Sequence, residues 1–202
     1  MIHRRLCYDD GKGVDEPLNE TAYGIGLIAR GKHWLLFGKT NDPNFGQQVK
    51  LFSQQKQSEP WLFFSNARRL SFSEWSNHVT EFTALTREMP PNVRILTLEP
   101  WGNDLLLLRL EHIFENHPEA SHSKPVVIDL KYLFTSFEIL EGRETTLGGN
   151  KWLSESRKFS WKTEDGEVMY DQVSDDRLRG NMTIILAPQE IKTYIIRIRP
   201  KI

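Results

Sequence analysis

The clearest pattern along the chain is alternation. Over residues 105–114, Leu106, Leu108, Leu110 and Phe114 fall on one face of an extended chain, while Arg109 and Glu111 fall on the other. That period of two marks a half-buried strand. Val126, Ile128, Leu130 and Tyr132 alternate with Asp129 and Lys131 in the same way. Apolar runs at 93–99, 182–186 and 191–198, together with Phe137 and Ile139, read as further strands. The first is joined to the run at 105 through Pro100-Trp101-Gly102-Asn103-Asp104, and the last two are separated by Ala187-Pro188-Gln189-Glu190.

The N-terminal half is less regular. Residues 1–20 show no clear period and carry a turn signal at Asp9-Asp10-Gly11-Lys12-Gly13. Residues 23–37 read as a hairpin in which Ile25, Leu27 and Ile28 precede a turn at Arg30-Gly31-Lys32. The Gln-rich stretch 40–58 has room for one short helix, and the apolar run 61–64 reads as a buried strand. Residues 66–91 are mixed and close at Pro90-Pro91, a loop boundary. Strands at short spacing with almost no helical period predict an all-β fold. The expected architecture is an antiparallel β-sandwich with long loops and at most one or two short helices.

Composition narrows function mainly by exclusion. The chain has 202 residues, 39% hydrophobic and 26% charged, enough for a sizeable core without a metal or disulfide staple. Lys and Arg number 26 against 27 Asp and Glu, a net charge of -1. No footprint for nucleic acid or an anionic membrane follows from that balance. The longest apolar run stops at Arg109, far short of a spanning helix. The first residues, Met1-Ile2-His3-Arg4-Arg5-Leu6, lack the apolar stretch of a signal peptide. A single cysteine, Cys7, excludes an intrachain disulfide. Two sequons, Asn19-Glu20-Thr21 and Asn181-Met182-Thr183, are candidate N-glycosylation sites. About one such triplet is expected by chance. If they are used, the chain enters the secretory pathway, and a signal peptide lies upstream of Met1.

Few residues assemble into a recognisable catalytic pattern. Gly24-x-Gly26-x-x-Ala29 fits a dinucleotide fingerprint on paper, but a hairpin follows it where a helix is required. His112, His117 and His122 are spaced by five, a spacing that gathers zinc ligands only if a loop folds them together. His3 and His33 are isolated, and Cys7 has no nearby histidine to mark it as a nucleophile. Glycosidases use two carboxylates across the scissile bond. The candidate pairs are Asp9 with Asp10, Glu141 with Glu144, and Asp175 with Asp176, all equally readable as turn or cap residues. Trp34, Trp61, Trp75, Trp101, Trp152 and Trp161 are either sugar-stacking surfaces or core. No complete catalytic site emerges.

A collinear set of motifs carries a stronger signal. The opening His3-Arg4-Arg5-Leu6-x-x-Asp9-Asp10-Gly11-Lys12-Gly13-Val14-x-Glu16-Pro17-Leu18-Asn19-Glu20 resembles the stretch that opens the last portion of lysosomal-type α-mannosidases, glycoside hydrolase family 38. The likeness continues through Arg30-Gly31-Lys32-His33, Val93-Arg94-Ile95-Leu96-Thr97-Leu98, Leu107-Leu108-Arg109-Leu110-Glu111-His112, and Glu144-Thr145-Thr146-Leu147. It ends at Leu186-x-Pro188-x-Glu190-Ile191-Lys192-Thr193-Tyr194, with 40–88 matching poorly.

The resemblance implies a retaining, zinc-dependent enzyme that removes α-linked mannose from N-glycan oligosaccharides in the lysosome. It further implies that nucleophile, acid/base and zinc ligands lie on an N-terminal catalytic portion with which this chain associates. No catalytic residue and no metal ligand is then expected here. Residues 1–22 would belong to a preceding central β-domain, and 23–202 would form the C-terminal β-sandwich. Asp9, Asp10 and Lys12 would line the mouth of the active site. The family more often has arginine at Lys12, and a lysine cannot make the planar two-pronged contact of a guanidinium. The alternatives are a solvated turn lysine and, for the whole chain, a stand-alone carbohydrate-binding or adhesion sandwich.

Overall fold

The computed structural model describes residues 6, 8–13, 17, 19–28, 30–64, 66, 71, 74, 80–156, 162–163, 166–167, 175–178, 180 and 182–201. They fall into two compact units, Met1–Phe37 and Gly38–Ile202. The strands in chain order are β1 (Thr21–Ala22), β2 (Ile25–Gly26), β3 (Val93–Pro100), β4 (Leu105–His112), β5 (Val126–Asp129) and β6 (Phe137–Thr145). They continue with β7 (Lys162–Thr163), β8 (Gly166–Glu167), β9 (Arg177–Leu178), β10 (Thr183–Leu186) and β11 (Ile191–Pro200). One α-helix, α1 (Phe45–Gln57), and one 3-10 turn, Leu153–Glu155, complete the described elements. The antiparallel, mostly-strand architecture is the one the alternation predicts.

In the first unit β1 pairs with β2 across a two-residue turn. Tyr23 and Gly24 both have positive φ, at 54° and 76°, the geometry that closes a tight hairpin. The turn therefore falls earlier than the predicted Arg30-Gly31-Lys32, and residues 34–37 are in no strand. Glycine tolerates positive φ without cost, so Gly24 decides where the chain reverses.

In the second unit a five-stranded sheet has the order β3-β4-β11-β6-β9, every pairing antiparallel. The last strand, β11, lies at its centre with β4 and β6 on either side. A two-stranded layer, β5 with β10, covers one face. Leu108, Leu110, Tyr194, Ile196 and Ile139 of the larger sheet meet Ile128, Ile184 and Leu186 of the smaller one, forming the core with Leu130, Leu133 and Phe134. Leu106, Leu108 and Leu110 share the inward face as expected; Phe114, beyond the strand end, is buried in a separate contact stacked on His122. Tyr132 takes positive φ, leaves the alternation and is exposed.

Gly142 leaves room for a neighbouring side chain. A Cβ at Gly142 would sit 2.5 Å from Leu178 Cδ1 and 3.1 Å from Ile196 Cγ2, so any larger residue there must displace the Leu178 side chain that packs β9 onto β6. Helix α1 is tied to its surroundings by polar contacts. Gln47 donates to Ser123 at 3.1 Å, Lys50 reaches Glu115 at 3.0 Å, and Arg94 donates to Gln54 at 2.9 Å. The run 61–64 is not the buried strand predicted for it: it lies in no strand, with Trp61 86% and Phe64 93% exposed. Apolarity alone names no pairing partner. Among the described residues no helix is long and apolar enough to cross a membrane.

Candidate functional site

The loop at Asp9-Asp10-Gly11-Lys12-Gly13 is a pair of overlapping side-chain turns. The Gly11 N–H donates to Asp9 Oδ2 at 2.9 Å, and the Lys12 N–H donates to Asp10 Oδ1 at 2.9 Å. Gly11 and Gly13 hold φ of 70° and 126°, which a β-carbon would strain. Each acid thus gives one oxygen to the backbone two residues on. Lys12 is exposed, so a tight loop presents one ammonium beside two carboxylates. Asn19 is exposed two residues before β1. Asn181, Trp75, Trp161, His3 and Cys7 lie outside the described residues.

The other candidate groups separate. His112 is buried, with Nδ1 accepting the Phe114 N–H at 3.3 Å and Nε2 3.0 Å from the Lys124 carbonyl. Both ring nitrogens are engaged, with Nε2 also 3.2 Å from Asn92 Nδ2. His117 Nδ1 accepts the Glu119 N–H at 3.3 Å, and His122 stacks on Phe114. Among the described residues no three His, Cys, Asp or Glu side chains gather into a metal cluster. His112, His117 and His122 are therefore not gathered into a common ligand set.

The paired acids also part company. Glu141 and Glu144 stand three apart on β6, which sends them to opposite faces of the sheet. Glu141 lies 3.2 Å from Arg197, whereas Glu144 accepts from Tyr194 Oη at 3.3 Å and lies 3.9 Å from Lys192. Burial pushes the Glu144 carboxyl above its ordinary value, against the opposing pull of Lys192 and Tyr194. Tyr194, buried beside that carboxylate, is pushed up as well.

Asp176 is buried while Asp175 is exposed. Arg143 donates to Asp176 at 2.7 Å, and both the backbone N–H and the hydroxyl of Ser154 donate to it, at 3.1 and 2.7 Å. Burial alone raises the carboxyl, but these hydrogen bonds outweigh it and hold Asp176 down at about 2.

Around Arg143 lies a groove that motif reading missed. It occupies about 380 Å³ on the outer face of the five-stranded sheet. Leu105 and Ile195 line it with Trp152, Glu141, Arg177 and Arg197. The Arg143 guanidinium sits 4.3 Å from the Trp152 ring centroid, a cation–π contact that orients the indole. These residues come from four strands and one turn. Only the pairing register brings them together, so no local motif could have signalled them.

Comparison with known proteins agrees with this architecture. The sequence profile of the "Glycosyl hydrolases family 38 C-terminal beta sandwich domain" matches residues 92–194. A lysosomal alpha-mannosidase of Bos taurus is 36% identical over 201 residues, covering 98% of this chain and 19% of the relative. The Homo sapiens lysosomal alpha-mannosidase is 34% identical over 203 residues, covering 100% and 19%. An alpha-mannosidase of Canavalia ensiformis is 32% identical over 208 residues, covering 98% and 21%. The chain spans about a fifth of the length of these curated relatives. Its profile match covers β3 through β10 and the first residues of β11, including the strands that enclose the core. The chain belongs to glycosyl hydrolases family 38, as its C-terminal β-sandwich domain.

Proposed function

We propose that this chain is the C-terminal portion of a retaining, zinc-dependent α-mannosidase that hydrolyses terminal α-linked mannose from N-glycan oligosaccharides in the lysosome. The observation that carries the reading is the sandwich-domain match over residues 92–194, in relatives named alpha-mannosidase and about five times as long. On this reading the N-terminal catalytic portion supplies nucleophile, acid/base and zinc. The sandwich stabilises that portion by packing against it. Lysosomal residence is supported by the names of the mammalian relatives, and glycosylation at Asn19 by its exposure.

The loop Asp9-Asp10-Gly11-Lys12-Gly13 lines the mouth of the active site in this proposal. Its backbone hydrogen bonds to Asp9 and Asp10 hold the turn before substrate arrives, so little ordering is left for binding. Lys12 would act as a point charge on substrate hydroxyls. Replacing Lys12 by Ala in the longer protein should lower kcat/KM on a mannose-terminated oligosaccharide about tenfold, worth about 1.4 kcal/mol. Unchanged kcat and KM would reduce the loop to a structural turn.

A further inference from the structure

The groove on the outer face plays no part in the reaction proposed above, yet its lining has the character of a sugar site. Register sets the layout. On β11, Arg197 lies between Leu105 of β4 and Glu141 of β6, and Ile195 lies opposite Arg143, which itself faces Arg177 of β9. Neighbouring strands are about 4.8 Å apart, and side chains on one face repeat about every 7 Å along a strand. The rim groups therefore fall within the span of one or two pyranose rings.

Charge decides among ligand classes. Arg143 is met by Asp176 at 2.7 Å and Glu155 at 3.6 Å. Arg197 is met by Glu141 at 3.2 Å and Asp104 at 3.6 Å. Arg143 and Arg197 are thus each met by two carboxylates, which weakens the pull of the groove on an anion. The rim instead offers an acceptor, Glu141, beside donors, Arg177 and Arg197, over an apolar floor of Leu105 and Ile195. Hydroxyl groups both donate and accept, and a pyranose ring carries an apolar C–H face. A volume of about 380 Å³ falls within the range of small-molecule sites.

We propose that this groove binds a neutral hexose of a glycan. Glu141 accepts from its hydroxyls, Arg177 and Arg197 donate to them, and the ring lies on Leu105 and Ile195 beside Trp152. Arg143 is a positioning residue that fixes the indole. Mannose as the sugar rests on the activity proposed above; a neutral polyol as the ligand class does not.

The test is a titration of the 202-residue chain, followed through the Trp152 indole N–H by NMR. Methyl α-D-mannopyranoside, methyl α-D-glucopyranoside and inorganic phosphate are added separately. The mannoside should give a saturable shift with a dissociation constant of about 1 mM. Glu141→Ala and Arg177→Ala, both at exposed positions, should each weaken it at least tenfold while the folded spectrum persists. No saturable shift with either sugar, equal affinity in both variants, or a response to phosphate in place of sugar would overturn the site. Tighter binding of the glucoside would overturn mannose as its sugar. In the longer protein, Glu141→Ala should leave turnover of an aryl α-mannoside unchanged, whereas absent turnover in the unaltered protein counts against the reaction and not the groove.

Discussion

Asp176 and Glu144 are joined through the backbone, the Glu144 N–H donating to the Asp176 carbonyl at 2.6 Å, yet their carboxyls titrate in opposite senses. Asp176 is held at about 2 by Arg143 and Ser154. Its contribution to stability is present above the ordinary value of 3.8 and is lost as pH falls toward 2. Asp176→Asn should lower unfolding stability at neutral pH by about 2 kcal/mol, a gap that closes in acid. Urea denaturation across that range measures it. Glu144 is raised by burial, so it favours the folded state below 4.5 and loses that effect as pH rises through its folded-state value. Glu144→Gln should therefore be more stable than the unaltered chain at neutral pH and no different below 4.5. Equal midpoints at neutral pH would mean Lys192 and Tyr194 fully offset the burial.

At the scale of elements, the sheet depends on close approach at its β6–β9 edge. Gly142→Val should force Leu178 and Ile196 apart and cost about 1–3 kcal/mol, read as a lower denaturation midpoint. A midpoint unchanged from the parent would show that β9 is dispensable. Which elements were legible follows the same logic. Strands β4 and β5 carry their alternation within the segment, β3, β6, β10 and β11 their apolar residues, and one helix falls inside the predicted 40–58. Residues 34–37 and 61–64 are as apolar as those strands, but a strand needs a neighbour, and local pattern does not name one. The loop acids Asp9 and Asp10 were visible as turn chemistry because their hydrogen bonds span two residues. The groove was invisible because Arg143, Arg177 and Arg197 converge only through register.

For the whole molecule, a chain spanning about a fifth of its relatives' length carries a family's terminal sandwich but no gathered metal cluster among its described residues. The central proposal divides the labour: chemistry on an N-terminal catalytic portion, stability and one wall of the site on this one. The measurement that tests it most directly is hydrolysis of an aryl α-mannoside by the isolated chain and by the chain combined with the N-terminal portion. The account predicts turnover only from the combination. Zinc-dependent turnover by the 202-residue chain alone would contradict it.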